Sequence, residues 1–179
     1  QLYQELGLMG EVNFPAFEQA LKGFSRYASG QDRLLVLIDY TKPSTEKRFY
    51  ILDLLQKKLL LSTYVAHGRG SGDNYAVAFS NRPGSYQSSL GFFRTGDTYM
   101  GKNGYSLFLD GLEKGINDKA RERAIVVHGA NYADPAVLKG QQRLGRSLGC
   151  PALPPDISKQ VIDTIKGGVL LYIYGLNKA

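Results

Sequence analysis

The chain has 179 residues, 43% of them hydrophobic and 21% charged, which suits one compact domain, or one domain with a short appendage. This composition excludes disordered, collagen-like and coiled-coil chains, and no apolar run approaches the roughly 18 residues of a membrane-spanning helix. Lysine and arginine exceed aspartate and glutamate by 22 − 16 = 6, but the basic residues are spread along the chain. A diffuse excess of this kind suits contact with a polyanion and does not point to nucleic acid, for which no zinc-finger, basic-heptad or RNP signature is present. A single cysteine forbids an internal disulfide framework and any multi-cysteine metal or redox centre. The chain begins at Gln1 without a methionine, which points to removal of a signal peptide, a leader or another upstream segment.

In chain order, Asn13 and Pro15 mark a helix start, and Phe14, Phe17, Leu21 and Phe24 recur at helical spacing, which predicts an amphipathic helix over about 15 to 28. From Leu34 the pattern turns to short runs rich in Val, Leu, Ile, Phe and Tyr. Strands are expected near 34–40, 48–54, 58–66, 75–80, 91–95, 105–110, 124–128 and 169–174. Asn103-Gly104 reads as a hairpin turn. Pro154-Pro155-Asp156 opens a second helix with Ile157, Val161, Ile162 and Ile165 on one face, and Gly167-Gly168 stops it. Strands dominate without alternating helices, so the expected fold is mainly β, sandwich-like or barrel-like, with one N-terminal helix and one late helix. Residues 1–33 are expected to form a helical appendage and 34–179 the main domain.

Only His67, His128 and Cys150 are strong soft-ligand or nucleophile candidates. The apolar run Ala124 to Val127 ends in His128-Gly129, which places an imidazole at a strand terminus where loops meet. Cys150 lies between Gly149, which permits close approach of a ligand, and Pro151, which lacks an N–H and favours extended geometry before it. A thiol needs a base or cation beside it to become a thiolate at neutral pH, and a histidine supplies both. Against this stand the ordinary readings of a buried structural cysteine and a hydrogen-bonded strand-end histidine. A zinc site of His67, His128 and Cys150 with one open position is a further chemical class. His67 itself, in Ala66-His67-Gly68-Arg69-Gly70-Ser71-Gly72, reads as part of a flexible loop at a cleft rim or as a turn histidine in solvent. No G-K-[S/T] follows these glycines, which argues against a phosphate loop.

The ordered string His128-Gly129, a loop, then Ser147-x-Gly149-Cys150 resembles the H-G…[S/T]-x-G-C signature of the L,D-transpeptidases of bacterial peptidoglycan, the YkuD-type catalytic domain. The similarity runs over about residues 34 to 175. Leu148 and Pro151-Ala152 depart from the commoner pattern, and Gly149-Cys150-Pro151-Ala152 resembles a branch with a G-C-P-A ending. The resemblance implies Cys150 as nucleophile, His128 as base and the Gly129 carbonyl as orienter of the imidazole. The N–H groups of Gly149 and Cys150 are then candidate oxyanion donors, and Ser147 and Arg146 would line the cleft, Arg146 binding a stem-peptide carboxylate; His67, read from its own loop at the rim, is a further candidate substrate contact. The resemblance further implies acyl transfer on peptidoglycan tetrapeptide stems through a Cys thioester, no cofactor, a monomer, and a periplasmic or cell-envelope location. The same site with water as acceptor would be an L,D-carboxypeptidase, and the same scaffold without chemistry a wall-binding module.

Overall fold

The computed structural model describes residues 1–29 and 32–178. A short helix α1 (Leu2–Glu5), not anticipated from the sequence, leads into α2 (Phe14–Tyr27). Eight strands follow: β1 (Leu34–Asp39), β2 (Phe49–Asp53), β3 (Lys58–Thr63), β4 (Gly91–Gly101), β5 (Gly104–Gly111), β6 (Val126–Gly129), β7 (Ala152–Leu153) and β8 (Leu170–Tyr174). Between the last two lies α3 (Pro155–Ile165). The strands form one sheet in the order β3-β2-β1-β8-β4-β5-β6-β7.

The sheet curls until its edges nearly meet. Beyond the end of β3, Ala66 bridges Ala152 of β7, donating to the Ala152 carbonyl at 2.8 Å and accepting from its N–H at 3.3 Å. The architecture is therefore mainly β and barrel-like, with few helices. Closure at Ala66 carries the next residue, His67, to the segment before Cys150.

The unbroken apolar run of β1 follows from having a layer on each face, since alternate side chains point opposite ways. Val36 and Ile38 enter the inner core with Ile51, Phe93, Leu107, Val127 and α3 residues Val161, Ile162 and Ile165. Leu35 and Leu37 enter an outer core under α2, with Tyr50, Leu52, Phe92 and Leu170.

The stripe that α2 buries is Ala16, Phe17, Ala20 and Gly23, rotated from the expected Phe14–Phe24 face. Phe14 is exposed and Leu21 and Phe24 are half-buried at the edge. Small residues win because they let the helix lie close to the sheet: a Cβ on Gly23 would come within 1.8 Å of the Phe92 ring. Leu6, Leu8 and Val12, ahead of α2, complete this layer.

Two other expectations change. Residues 75–80 form no strand; Val77 and Ala78 both donate to the Ser71 carbonyl and Ser80 to that of Ser88, so this backbone is satisfied by loops. The β4–β5 hairpin is present, with Gly101 paired to Gly104 and Lys102-Asn103 as the connecting residues. Its tip brings Lys102 toward His128, which frames the site described next.

Candidate active site

The parallel register of β6 and β7 sets His128 beside Ala152. Counting back two residues along both segments places Cys150 against Val126, roughly 6–7 Å of strand from the histidine position. The thiol occupies that place: Sγ accepts from the Val126 N–H at 3.4 Å and donates to the Ala124 carbonyl at 3.4 Å. Among the described residues no hydrogen bond joins it to His128. Burial pushes the Cys150 thiol up, and the nearby cations Arg123 and Lys102 and the Val126 N–H pull against that. The Cys150 side chain is 8% exposed, and burial favours its neutral thiol form.

His128 has its Nδ1 2.9 Å from the Gly129 carbonyl. A carbonyl only accepts, so Nδ1 carries the hydrogen and Nε2 carries the lone pair. Burial lowers the imidazole's pKa, which keeps it neutral and able to take a proton. It lines a cleft of about 460 Å³ with Lys102, Asn103 and Tyr105 of the β4–β5 hairpin, Tyr132 after β6, and Pro155 and Ser158 of α3. Gly129 must lack a side chain because a Cβ there would meet Ser158 Oγ at 2.4 Å.

Ser147 shapes the loop that presents the cysteine. Its Oγ donates to the Cys150 carbonyl at 2.6 Å and accepts from the Gly149 N–H at 3.1 Å. The Gly149 N–H is therefore committed inside the loop. The Cys150 N–H has no acceptor among the described residues, so of the two anticipated oxyanion donors it is the one available. Gly149 has φ +127, and a Cβ there would lie 3.0 Å from the Gln87 carbonyl and 2.9 Å from Ile125. Only glycine fits without displacement.

The placement of His67 differs from the sequence expectation. It is 1% exposed, neither at a solvent-facing rim nor in a solvated turn. Arg48, also fully buried, donates from Nη2 to His67 Nδ1 at 2.9 Å, and Nε2 lies 3.2 Å from the Gly72 carbonyl. Both ring nitrogens are thus occupied, and burial followed by the Arg48 charge drives the His67 pKa down to about 3. The histidine serves as a post under the 67–73 loop. It has no free nitrogen for substrate or for a metal, and among the described residues no cluster of three or more His, Cys, Asp or Glu is spaced to hold a metal ion.

Arg146 also works within the protein. It pairs with Asp73 at 3.1 Å and reaches the Gly72 carbonyl at 3.3 Å. Further links bind this loop to the cysteine loop: Ser147 N–H donates to the His67 carbonyl at 2.9 Å, and Arg69 N–H to the Ser147 carbonyl at 2.8 Å. Ser88 Oγ accepts from the Gly68 N–H at 2.9 Å. Segments 67–73, 85–89 and 146–150 are thereby interlaced behind Cys150.

Sequence reasoning missed Arg48, Arg123, Ala124, Lys102 and Tyr132. Arg48 and Arg123 stand just ahead of apolar runs, where arginine reads as a solvated strand end. Ala124, expected to open a strand, instead holds φ +57 ahead of β6 and supplies the thiol's acceptor.

Several solved structures resemble this fold. The helical cell shape determining protein Pgp2 from Campylobacter jejuni aligns at 16% identity and TM-score 0.51, covering 83% of this chain and 50% of that one. An L,D-transpeptidase from Mycobacterium smegmatis aligns at 13% identity and TM-score 0.48, covering 80% and 59%. One from Stackebrandtia nassauensis aligns at 14% and 0.49, covering 99% and 76%. The chain thus spans between half and three-fifths of the first two. No curated protein matches the sequence. The family model of the L,D-transpeptidase catalytic domain matches residues 8–174, nearly the whole chain, and the chain belongs to that family.

Proposed function

We propose that the chain catalyses cysteine-dependent acyl transfer on peptidoglycan stem peptides. The observation that carries this reading is the β6–β7 register, which sets a buried thiol one strand repeat from an imidazole whose Nδ1–H is fixed on the Gly129 carbonyl. Membership of the L,D-transpeptidase catalytic domain family supports it.

In the proposed reaction the Cys150 thiol turns from the Ala124 carbonyl toward His128, and Nε2 takes its proton. The thiolate attacks the carbonyl carbon between the third stem residue and the terminal D-alanine, and the Cys150 N–H receives the oxyanion. Collapse of the tetrahedral intermediate breaks the peptide bond, D-alanine leaves with the proton from His128, and a thioester remains. An amine from a second stem then attacks the thioester, which releases the thiol and forms a 3→3 cross-link. Water at the same step gives carboxypeptidase activity.

The reading places the protein at the cell envelope, where this substrate lies. The described residues of segment 1–33 serve in it as a layer over the outer core, and none of those described lines the His128 cleft. The test is incubation with a disaccharide-tetrapeptide, followed by mass spectrometry of the products. Release of D-alanine with a 3→3 dimer, abolished by Cys150→Ala, is expected. Intact tetrapeptide with folded protein contradicts the reading, and monomeric tripeptide alone assigns water as acceptor.

A further inference from the structure

Arg123 enters neither the family signature nor the proton transfer just described, yet its surroundings are unusual for an arginine. It lies in the segment that leads into β6, two residues after Arg121. Arg121 is exposed and pairs with Asp110 at 2.6 Å. Arg123 is half-buried, and among the described residues no carboxylate lies within 4.0 Å of it. Its four acceptors are all neutral and all belong to one segment. Nη1 donates to the Ser80 carbonyl at 2.9 Å and Ser89 Oγ at 2.8 Å, while Nη2 donates to Ser85 Oγ at 3.1 Å and the Gln87 carbonyl at 2.8 Å. Hydrogen bonds of this kind satisfy a guanidinium without cancelling its charge.

The same two groups abut the nucleophile loop. A Cβ on Gly149 would stand 3.0 Å from the Gln87 carbonyl and 3.5 Å from Arg123 Nη2. The guanidinium therefore lies directly behind the peptide that presents Cys150. The titratable and charged groups around the thiol are Arg123, Lys102 on the β4–β5 hairpin, His128 on β6, and Tyr40 and Tyr132. The two tyrosines are each pushed up to about 12 by burial and stay neutral. Lys102 is exposed at a turn, where solvent and salt screen it. Arg123 is the cation that burial and four hydrogen bonds hold in place.

We propose that Arg123 is a positioning residue of the acyl-transfer site, tying the Ser80–Ser89 segment against Gly149 and supplying the fixed positive charge that favours the Cys150 thiolate. The inference rests on Cys150 being the nucleophile. It assigns Ser89 Oγ the part of acceptor for this guanidinium.

The test is the pH dependence of iodoacetamide alkylation, read by intact mass, with thermal unfolding measured alongside. Because the chain has one cysteine, the adduct that is absent from Cys150→Ser reports Cys150. Wild type, Arg123→Gln, Arg123→Lys and Lys102→Gln are compared as whole chains. Arg123→Gln is expected to alkylate about tenfold more slowly at pH 7, with its profile displaced to higher pH. Arg123→Lys keeps the charge and the wild-type profile while losing thermal stability, and Lys102→Gln changes the profile little. A wild-type profile in folded Arg123→Gln overturns the proposal. Should that variant not fold, Arg123→Lys decides: an unchanged profile supports the charge role, and a profile displaced upward overturns it. Failure of the functional reading shows separately, as absence of carbapenem acylation in wild type whatever the alkylation profile.

Discussion

The Cys150 thiol donates to the carbonyl of Ala124 at 3.4 Å, and Ala124 reaches that position only by holding left-handed backbone at φ +57. For a residue with a Cβ this conformation costs roughly 1 kcal/mol. Strain is thus held one residue ahead of Ile125, where the chain turns into the apolar run that continues as β6. Ala124→Gly is expected to relieve it, leaving the protein as stable or more stable by up to about 1 kcal/mol in urea unfolding. Ala124→Val is expected to destabilise by more than about 1 kcal/mol. A glycine variant clearly less stable than wild type contradicts this account of the turn.

Ser147 supports the Cys150 loop from within, through the Cys150 carbonyl and the Gly149 N–H. Ser147→Ala removes both hydrogen bonds at a buried position, which costs about 1–3 kcal/mol. Because the loop then loses its fixed angle, acylation by a carbapenem is expected to slow at least tenfold even where the protein remains folded. Stopped acylation assays at several times, with unfolding curves for the same samples, check both numbers. Unchanged acylation would assign Ser147 to stability alone.

The buried His67 makes stability depend on pH in a defined direction. Its folded pKa is about 3, below the ordinary 6.5, so the unfolded chain binds more protons between those values. Stability is present above about pH 6.5 and falls as the pH is lowered toward 3. His128, also depressed by burial, adds the same sign. His67→Asn removes one titration, and although less stable at pH 7 it is expected to lose less stability between pH 7 and pH 4. Parallel curves for the two proteins would mean that His67 is not held neutral.

Much of this was legible in the residue order. The apolar runs of β1, β2, β4, β5, β6 and β8 and the late helix stand where their patterns predict, because periodicity and Gly or Pro punctuation act locally. His128-Gly129 and Ser147-x-Gly149-Cys150 stood out through their resemblance to the family's signature, which periodicity alone does not supply. What escaped depends on closure of the sheet. Nothing near His67 says that Ala66 will bridge Ala152, or that Arg48, from the start of the second strand, will arrive beneath it. The run at 75–80 suggested a strand, but its Val77, Ala78 and Ser80 N–H groups donate to the Ser71 and Ser88 carbonyls of loops instead. The face of α2 was misjudged because close approach to Phe92 rewards Ala16, Ala20 and Gly23 over larger residues.

The central claim is that Cys150 is a nucleophile activated by His128. It is tested most directly by intact-protein mass after incubation with a carbapenem, beside Cys150→Ser and His128→Ala. The account predicts one stoichiometric adduct on wild type, none on Cys150→Ser and an adduct formed at least about a hundredfold more slowly on His128→Ala, as loss of a general base implies. Folded wild-type protein that acquires no adduct, or an adduct that persists in Cys150→Ser, would contradict it.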